Sequence, residues 1–173
     1  MTIREKAAMM KLDSSKMAST DIAVRNAALE KIAESLLAGK ERIFEANAKD
    51  MERAQADNIL PAVIKRLKFS EAKLSDAIAG IHNLIALPDP LFQIQLKRQL
   101  DEGLTLVRET CPIGVIGVIF EARPDAMVQI ASLCIKSGNC AILKGGSETR
   151  ETNKLLFELI YEAALSSGLP QGC

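Results

Sequence analysis

The first part of the chain repeats its apolar residues every three or four positions, which is typical of helices that bury one face. One such series follows the capping residues Thr20 and Asp21 and stops at Gly39. Pro61 and Ser70 mark the starts of two further helices, and Pro88 closes the last of them. The pattern therefore predicts a helical region over residues 2–87.

After Pro90 the apolar residues alternate with polar ones, which indicates extended structure. The alternation runs through residues 92–96 and is followed by the turn residues Asp101–Gly103. A second run, Leu104–Val107, then continues as a partner strand. These residues predict a β-hairpin between the helical region and the rest of the chain.

The remaining residues alternate between strand and helix patterns. The segment Gly114–Phe120 is apolar throughout, which predicts a strand buried on both faces of a parallel sheet, with Gly114 and Gly117 as close-packing positions. Pro124 begins a helix, Cys140–Leu143 forms a second strand, and Ser147 is expected to cap a last helix. Such units are almost always right-handed crossovers between parallel strands, so the predicted fold class is α/β.

Composition narrows the functional classes. The 173 residues carry 22 Lys+Arg and 22 Asp+Glu, and this zero net charge argues against a nucleic-acid partner. With no Trp and one Tyr, the chain also has few side chains on which bases could stack. No apolar run approaches the roughly 18–20 residues of a membrane span, and the charged start lacks the apolar core of a secretory signal. We therefore expect a cytoplasmic protein without a membrane partner.

The cysteine spacing gives no sign of a metal site. Cys111, Cys134, Cys140 and Cys173 form no CxxC pair, so zinc binding or a disulfide framework is poorly supported. We expect reduced thiols, and because Cys111, Cys134 and Cys140 lie in or beside apolar segments, we expect these three to be inert.

Two loops at the carboxyl ends of the predicted parallel strands carry the candidate chemistry. One is Glu121–Ala122–Arg123, and the other is Lys144–Gly145–Gly146–Ser147. Ligands of open α/β sheets bind beyond these ends, so a guanidinium, an ammonium and a glycine pair meet where a nucleotide or phosphate is expected. The GxGxxG and GxxxxGK[ST] motifs are both missing.

Each candidate also has a purely structural interpretation. Gly145 and Gly146 are equally compatible with a tight strand-to-helix turn, and Lys144 with a solvated surface lysine. Pro124 holds the preceding Arg123 extended, which suits a fixed anion ligand, but Arg123 has the alternative of a salt bridge to Glu121 or Asp125. Spacing alone does not decide between these alternatives.

Residues 111–156 carry a resemblance to a known family. The segments PIGVIGVIFEARPD, KSGN and ILKGGSE together resemble the gamma-glutamyl phosphate reductases, also called glutamate-5-semialdehyde dehydrogenases, of the aldehyde dehydrogenase superfamily. The resemblance implies N-terminal helices over 1–90, a hairpin over 91–110 that serves as an oligomerisation flap, and the first βαβα part of an NADP-binding domain over 111–173. It implies that the catalytic domain is absent from these residues.

The family resemblance also implies a reaction, the NADPH-dependent reduction of gamma-glutamyl phosphate to glutamate 5-semialdehyde in proline biosynthesis. The family's cysteine nucleophile lies downstream of the region seen here, so no catalytic residue is expected in this chain and it is predicted to be inactive alone. Arg123 is expected to bind the substrate. The residues expected to contact the cofactor are Glu121, Ala122, Lys144, Gly146 and Ser147.

Two other functions stay open. The chain is compatible with a nucleotide-binding or oligomer-forming unit that has no catalytic role. It is also compatible with an aldehyde dehydrogenase-type enzyme for a plain aldehyde, and the EARP loop is the feature that separates the two substrates. Because a partly built sheet leaves an uncovered edge, we expect a homo-oligomer.

Overall fold

The computed structural model describes residues 2–173, which form seven α-helices and four β-strands in the predicted order. Five helices come first, then an antiparallel hairpin, then a strand–helix–strand–helix unit. The elements are α1 (Ile3–Ala18), α2 (Ile22–Ala38), α3 (Lys40–Ala56), α4 (Pro61–Leu67), α5 (Glu71–Ala86), β1 (Ile94–Asp101), β2 (Leu104–Glu109), β3 (Val115–Ile119), α6 (Pro124–Lys136), β4 (Cys140–Lys144) and α7 (Arg150–Ser166).

Most helix boundaries follow from local chemistry. The Asp21 carboxylate accepts a hydrogen bond from the Ala23 N–H at 2.7 Å, and the Ser70 hydroxyl accepts one from the Lys73 N–H at 3.4 Å. Pro61 and Pro124 occupy the first turns of α4 and α6, where a missing N–H leaves no bond unmade. These predicted starts are confirmed because they depend only on neighbouring residues.

The predicted hairpin is confirmed, with β1 and β2 paired antiparallel so that Arg98 lies opposite Leu106. Gly103 takes a φ of +75° in the turn, a conformation that favours glycine. The first strand begins at Ile94, later than expected, because Phe92 adopts a left-handed φ of +56°. Every residue of both strands is exposed, so the hairpin projects from the body.

β3 and β4 pair in parallel through α6, as predicted, and form a two-stranded sheet within residues 2–173. The expectation that β3 is buried on both faces is wrong, because Ile119 is 79% exposed and Gly117 is also exposed. A strand needs neighbours and covering helices to be buried, and β3 has one paired neighbour among these residues. Close packing is wrong for Gly117, around which a Cβ would meet no atom within 4 Å.

One hydrophobic core joins the helical region to the strand–helix unit. α2 packs on α5, α6 and α7, and α1 covers part of β3 and β4. The fully buried centre of this core includes Met17, Leu29, Ile32, Leu36, Ile43, Val128 and Leu156. A buried polar cluster braces the same helices, with Arg25 paired to Asp89 at 2.6 Å. The Lys136 ammonium donates to three oxygens nearby, those of Asn26, Ile85 and Leu87.

Candidate functional site

The carboxyl ends of β3 and β4 lie side by side, as parallel pairing requires. Ile119 stands opposite Lys144 in the ladder, and the Phe120 N–H donates to the Lys144 carbonyl at 3.0 Å. The two candidate loops therefore leave the sheet at the same edge and begin next to each other. The sequence-based placement of these loops at one edge is thus confirmed.

The loop after β3 is held in an unusual conformation at Ala122. This residue has a φ of +53°, a region that non-glycine residues enter rarely and usually at a cost of about 1 kcal/mol or more. Its side chain is 1% exposed and packs in a small apolar cluster with Ala54 and Leu67. Its N–H donates to the Glu148 carboxylate at 2.7 Å, which joins the loop after β3 to the loop after β4.

Gly145 and Gly146 leave room for side chains of the protein itself. A Cβ built on Gly145 would lie 2.3 Å from the Asn153 side-chain amide, and one on Gly146 would lie 2.0 Å from the Glu148 carboxylate. Both distances are far below a normal contact, so a larger residue at either position would displace its neighbour. This supports the tight-turn interpretation of the glycine pair.

Arg123 forms a salt bridge to Asp125, which is one of the structural interpretations that the sequence left open. Its guanidinium donates to the Asp125 carboxylate at 2.7 Å, and this hydrogen bond raises the pKa of Arg123. The backbone of Arg123 is extended at φ −142°, ψ 86°, as expected before Pro124. The side chain is nevertheless 54% exposed, so its remaining N–H groups are accessible to an anion.

The start of α7 differs from the prediction. Ser147 lies in a short 3₁₀ turn with Glu148 and Thr149, α7 begins at Arg150, and no side chain of that turn caps it, so the expectation that Ser147 caps the last helix is wrong. The cap comes from another helix, α3, which the local sequence could not reveal. The buried Asp50 carboxylate accepts the N–H groups of Glu151 at 3.2 Å and Thr152 at 2.8 Å, and the Thr152 hydroxyl at 2.7 Å.

The bonds to Asp50 limit which groups near the start of α7 can bind an anion. The N–H groups of α7 that Asp50 engages are already bonded to a carboxylate, which takes the place a phosphate would occupy at a helix start. Lys144, the last residue of β4, and Ser147, in the turn, are in contrast both exposed. The chain therefore offers an ammonium and a hydroxyl, rather than these backbone groups, to a ribose or a phosphate.

A cavity of about 480 Å³ opens beside the two loops and is bounded by α3 and the segment around α4. It brings together Glu121 and Ser147 from the two predicted loops, whereas Arg123 and Lys144 do not line it. Its polar wall also includes Glu148. The complete lining is Arg53, Ala54, Asp57, Ile59, Leu60, Val63, Glu121, Ser147, Glu148 and Arg150. The mixture of carboxylates and guanidinium groups suits a ligand with hydroxyl groups better than a bare polyanion.

Three of the cysteine thiols, those of Cys134, Cys140 and Cys173, are unsuited to nucleophilic chemistry. Burial raises the pKa of Cys134, raises that of Cys140 to about 12 and raises that of Cys173 to about 11. A nucleophilic cysteine needs the opposite shift, so these three thiols stay protonated near neutral pH. All four cysteines, Cys111, Cys134, Cys140 and Cys173, are free. Within residues 2–173, no three His, Cys, Asp or Glu side chains are placed to hold a metal ion.

None of the helices described here combines the length and the apolar character that crossing a membrane requires.

Comparison with known proteins supports the family resemblance over 99% of the chain. It is 51% identical over 172 residues to the gamma-glutamyl phosphate reductase of Ruminiclostridium cellulolyticum, covering 99% of this chain and 40% of that protein. The crystal structures of gamma-glutamyl phosphate reductases from Thermotoga maritima and Saccharomyces cerevisiae superpose with TM-scores of 0.92 and 0.93 at 31% and 34% identity. Each match covers 97% of this chain and 41% or 44% of the solved chain. No family model matches the chain.

More distant structures share the fold alone. A NAD-dependent benzaldehyde dehydrogenase from Corynebacterium glutamicum superposes with a TM-score of 0.68 at 18% identity, over 96% of this chain and 33% of its own. The fold is therefore of the aldehyde dehydrogenase type, and the resemblance to gamma-glutamyl phosphate reductases is confirmed in both sequence and structure. The chain spans about two fifths of the length of the curated relatives it matches.

Proposed function

From this correspondence with part of the gamma-glutamyl phosphate reductases, we propose that the chain supplies the cofactor-binding edge of such an enzyme. The reaction is the NADPH-dependent reduction of gamma-glutamyl phosphate to glutamate 5-semialdehyde, a cytoplasmic step of proline biosynthesis. The observation that carries the proposal is the 51% identity over 172 residues, which includes both loops at the carboxyl ends of β3 and β4. In this view residues 111–173 begin the NADP-binding domain and residues 1–90 are its helical support.

The cofactor contacts follow from the exposed groups at this edge. The bound nicotinamide cofactor supplies the hydride. The Lys144 ammonium is suited to the ribose or its 2′-phosphate, and the Ser147 hydroxyl, with the Gly146 backbone beside it, to a neighbouring oxygen. The exposed Glu121 is proposed to face the nicotinamide end of the cofactor, whereas the buried Ala122 contributes through the loop conformation it holds. A cation at Lys144 favours the extra phosphate of NADPH over NADH.

Arg123 is proposed to bind the acyl phosphate. Its guanidinium is half-exposed and its backbone is fixed by Pro124, so it can offer a planar pair of donors to an anionic oxygen. A plain aldehyde has no such anion, and this difference separates the two candidate substrates. In an enzyme assembled from this chain and the rest of such a protein, Arg123→Ala should raise the KM for the acyl phosphate about tenfold or more. An unchanged KM would favour the aldehyde substrate.

The nucleophile is proposed to lie outside these 173 residues. In the family reaction a cysteine thiolate attacks the acyl phosphate and releases phosphate, and the resulting thioester is reduced to the aldehyde. Cys134, Cys140 and Cys173 are poor candidates, since burial keeps them protonated. We expect the purified 173-residue chain to show no phosphate-dependent NADP reduction with glutamate semialdehyde, and such activity would contradict this assignment.

Cofactor binding can be tested on the chain alone. Calorimetric titration with NADPH should give a measurable affinity for the wild type, and Lys144→Ala should weaken it about tenfold, the effect of losing one charge-assisted hydrogen bond. Lys154→Ala, which removes an exposed lysine of α7, is the matched control and should bind like the wild type. Equal affinity for the Lys144→Ala variant would remove Lys144 from the site.

A second function, subunit assembly, is favoured by the hairpin. Leu96, Leu104 and Leu106 are 40–56% exposed on a ribbon that projects from the body, an unusual arrangement for a monomer. We propose that residues 91–110 form a flap through which copies of the protein associate. Absence of NADPH binding together with a stable oligomer would favour this role over the cofactor role.

A further inference from the structure

The side chain of Glu148 joins the two loops of the site. The function proposed above gives its carboxylate no role. It reaches back from the 3₁₀ turn before α7 and accepts the Ala122 N–H at 2.7 Å. The two residues lie 26 positions apart in sequence, so this bond is made by the tertiary structure. It connects the EARP loop, residues 121–124, to the turn that follows β4.

The conformation of Ala122 explains why such a bond is needed. A φ of +53° is unfavourable for alanine, and a residue keeps it only where its surroundings enforce it. Burial against Ala54 and Leu67 holds the side chain, and the Glu148 carboxylate holds the N–H. The next residue is Arg123, so the direction in which Arg123 leaves the loop depends on this conformation.

Gly146 makes room for the same carboxylate. A Cβ at this position would lie 2.0 Å from one Glu148 oxygen and 2.2 Å from the other, so the carboxylate rests against the Gly146 backbone. The glycine and the glutamate are therefore a matched pair, and an added methyl group at Gly146 would expel the carboxylate from Ala122. This observation is independent of the hydrogen bond itself.

We infer that Glu148 is a positioning residue, which clamps Ala122 in its left-handed conformation and so fixes Arg123 relative to Lys144. The consequence for ligand binding rests on the proposed function, whereas the clamp itself is a property of this chain. In this role Glu148 acts on Arg123 through its bond to Ala122.

Amide hydrogen exchange of Ala122, followed by NMR in the 173-residue chain, tests the clamp directly. Glu148→Ala should speed exchange at Ala122 at least tenfold, and Glu148→Gln, whose amide oxygen still accepts a hydrogen bond, should restore most of the protection. Glu162→Ala, at an exposed position of α7, is the matched control. Unfolding by urea, measured in parallel, separates local loosening from global instability.

A double-mutant cycle then tests the pairing with Gly146. Gly146→Ala should speed Ala122 exchange in the wild-type background and have no further effect in the Glu148→Ala background, because the group it displaces is gone. Additive effects, or unchanged Ala122 exchange in Glu148→Ala, would overturn the clamp.

NADPH titration of the same variants separates this inference from the proposed function. If the wild-type chain binds NADPH, Glu148→Ala should weaken binding about tenfold and Glu148→Gln should not; equal affinities would overturn the positioning role. If the wild type does not bind NADPH, the cofactor proposal fails, and the exchange measurements alone decide whether Glu148 fixes the loop.

Discussion

The Arg123 guanidinium lies 2.7 Å from the Asp125 carboxylate, two residues further on and in the first turn of α6. The Asp125 carboxylate also faces the Lys73 ammonium at 4.0 Å and lies at the positive end of the α6 dipole. An anion that binds Arg123 therefore has to share or replace Asp125. The ion pair keeps the guanidinium in place while leaving it half-exposed.

Asp125→Asn should release Arg123 for anion binding. If Arg123 is the phosphate ligand, the affinity of the chain for inorganic phosphate should rise a few-fold, because one competing charge is removed. Titration with inorganic phosphate, followed by calorimetry in every variant, measures this change. Arg123→Gln is the control and should abolish the binding in either background, whereas weaker binding in Asp125→Asn would show that the pair acts together on the anion.

Asp50→Asn should destabilise the protein strongly. Asp50 is fully buried, caps the start of α7 from α3 and pairs with Arg53, so its replacement weakens several hydrogen bonds at once. We expect the free energy of unfolding in urea to fall by about 2–4 kcal/mol, in the range for a broken buried charge network. Asp76→Asn, at an exposed position of α5, should change it by less than about 0.5 kcal/mol. Equal effects at both positions would contradict the capping role.

The buried thiols predict a loss of stability at alkaline pH. The pKa of Cys140 is raised from 9.0 to about 12, so the folded state keeps its proton where the unfolded state loses it. Its contribution is complete below pH 9 and falls as the pH rises toward 12, by up to about 1.4 kcal/mol per pH unit.

Urea unfolding between pH 8 and pH 10 tests this expectation, since the lower limit lies below and the upper limit above the unfolded pKa of 9.0. Cys140→Ala should lower stability at pH 8 through lost packing and should reduce the slope above pH 9. Cys111→Ala, at an exposed thiol, is the control and should leave the slope as in the wild type. An unchanged slope in Cys140→Ala would be inconsistent with the shift.

The hairpin predicts assembly through one of its faces. Arg98 and Leu106 pair across the strands, so Leu96, two residues before Arg98, shares their face, whereas Thr105 points to the other. Leu106→Lys should shift the sedimentation profile toward the monomer, because an ammonium would be buried in the contact. Thr105→Lys is the matched control. A wild type that sediments as a monodisperse monomer would rule out assembly by this flap under those conditions.

The sequence by itself determined the order of the helices and strands. Caps such as Asp21 and Ser70, the prolines at the starts of α4 and α6, and the Gly103 turn act on neighbours within a few residues, so the pattern along the chain contains the information. It also determined that the Arg123 and Lys144 loops leave one sheet edge, since the strand–helix–strand connection allows little else.

The tertiary structure alone decided how these loops are held. Asp50 caps a helix about a hundred residues away, and Glu148 binds Ala122 across 26 residues. Arg123 pairs with Asp125 rather than with Glu121. Side-chain reach and backbone conformation in three dimensions settle such choices, and no spacing along the chain encodes them. The exposure of Ile119 was also decided by the tertiary structure, because burial of a strand depends on what packs beside it rather than on its own composition.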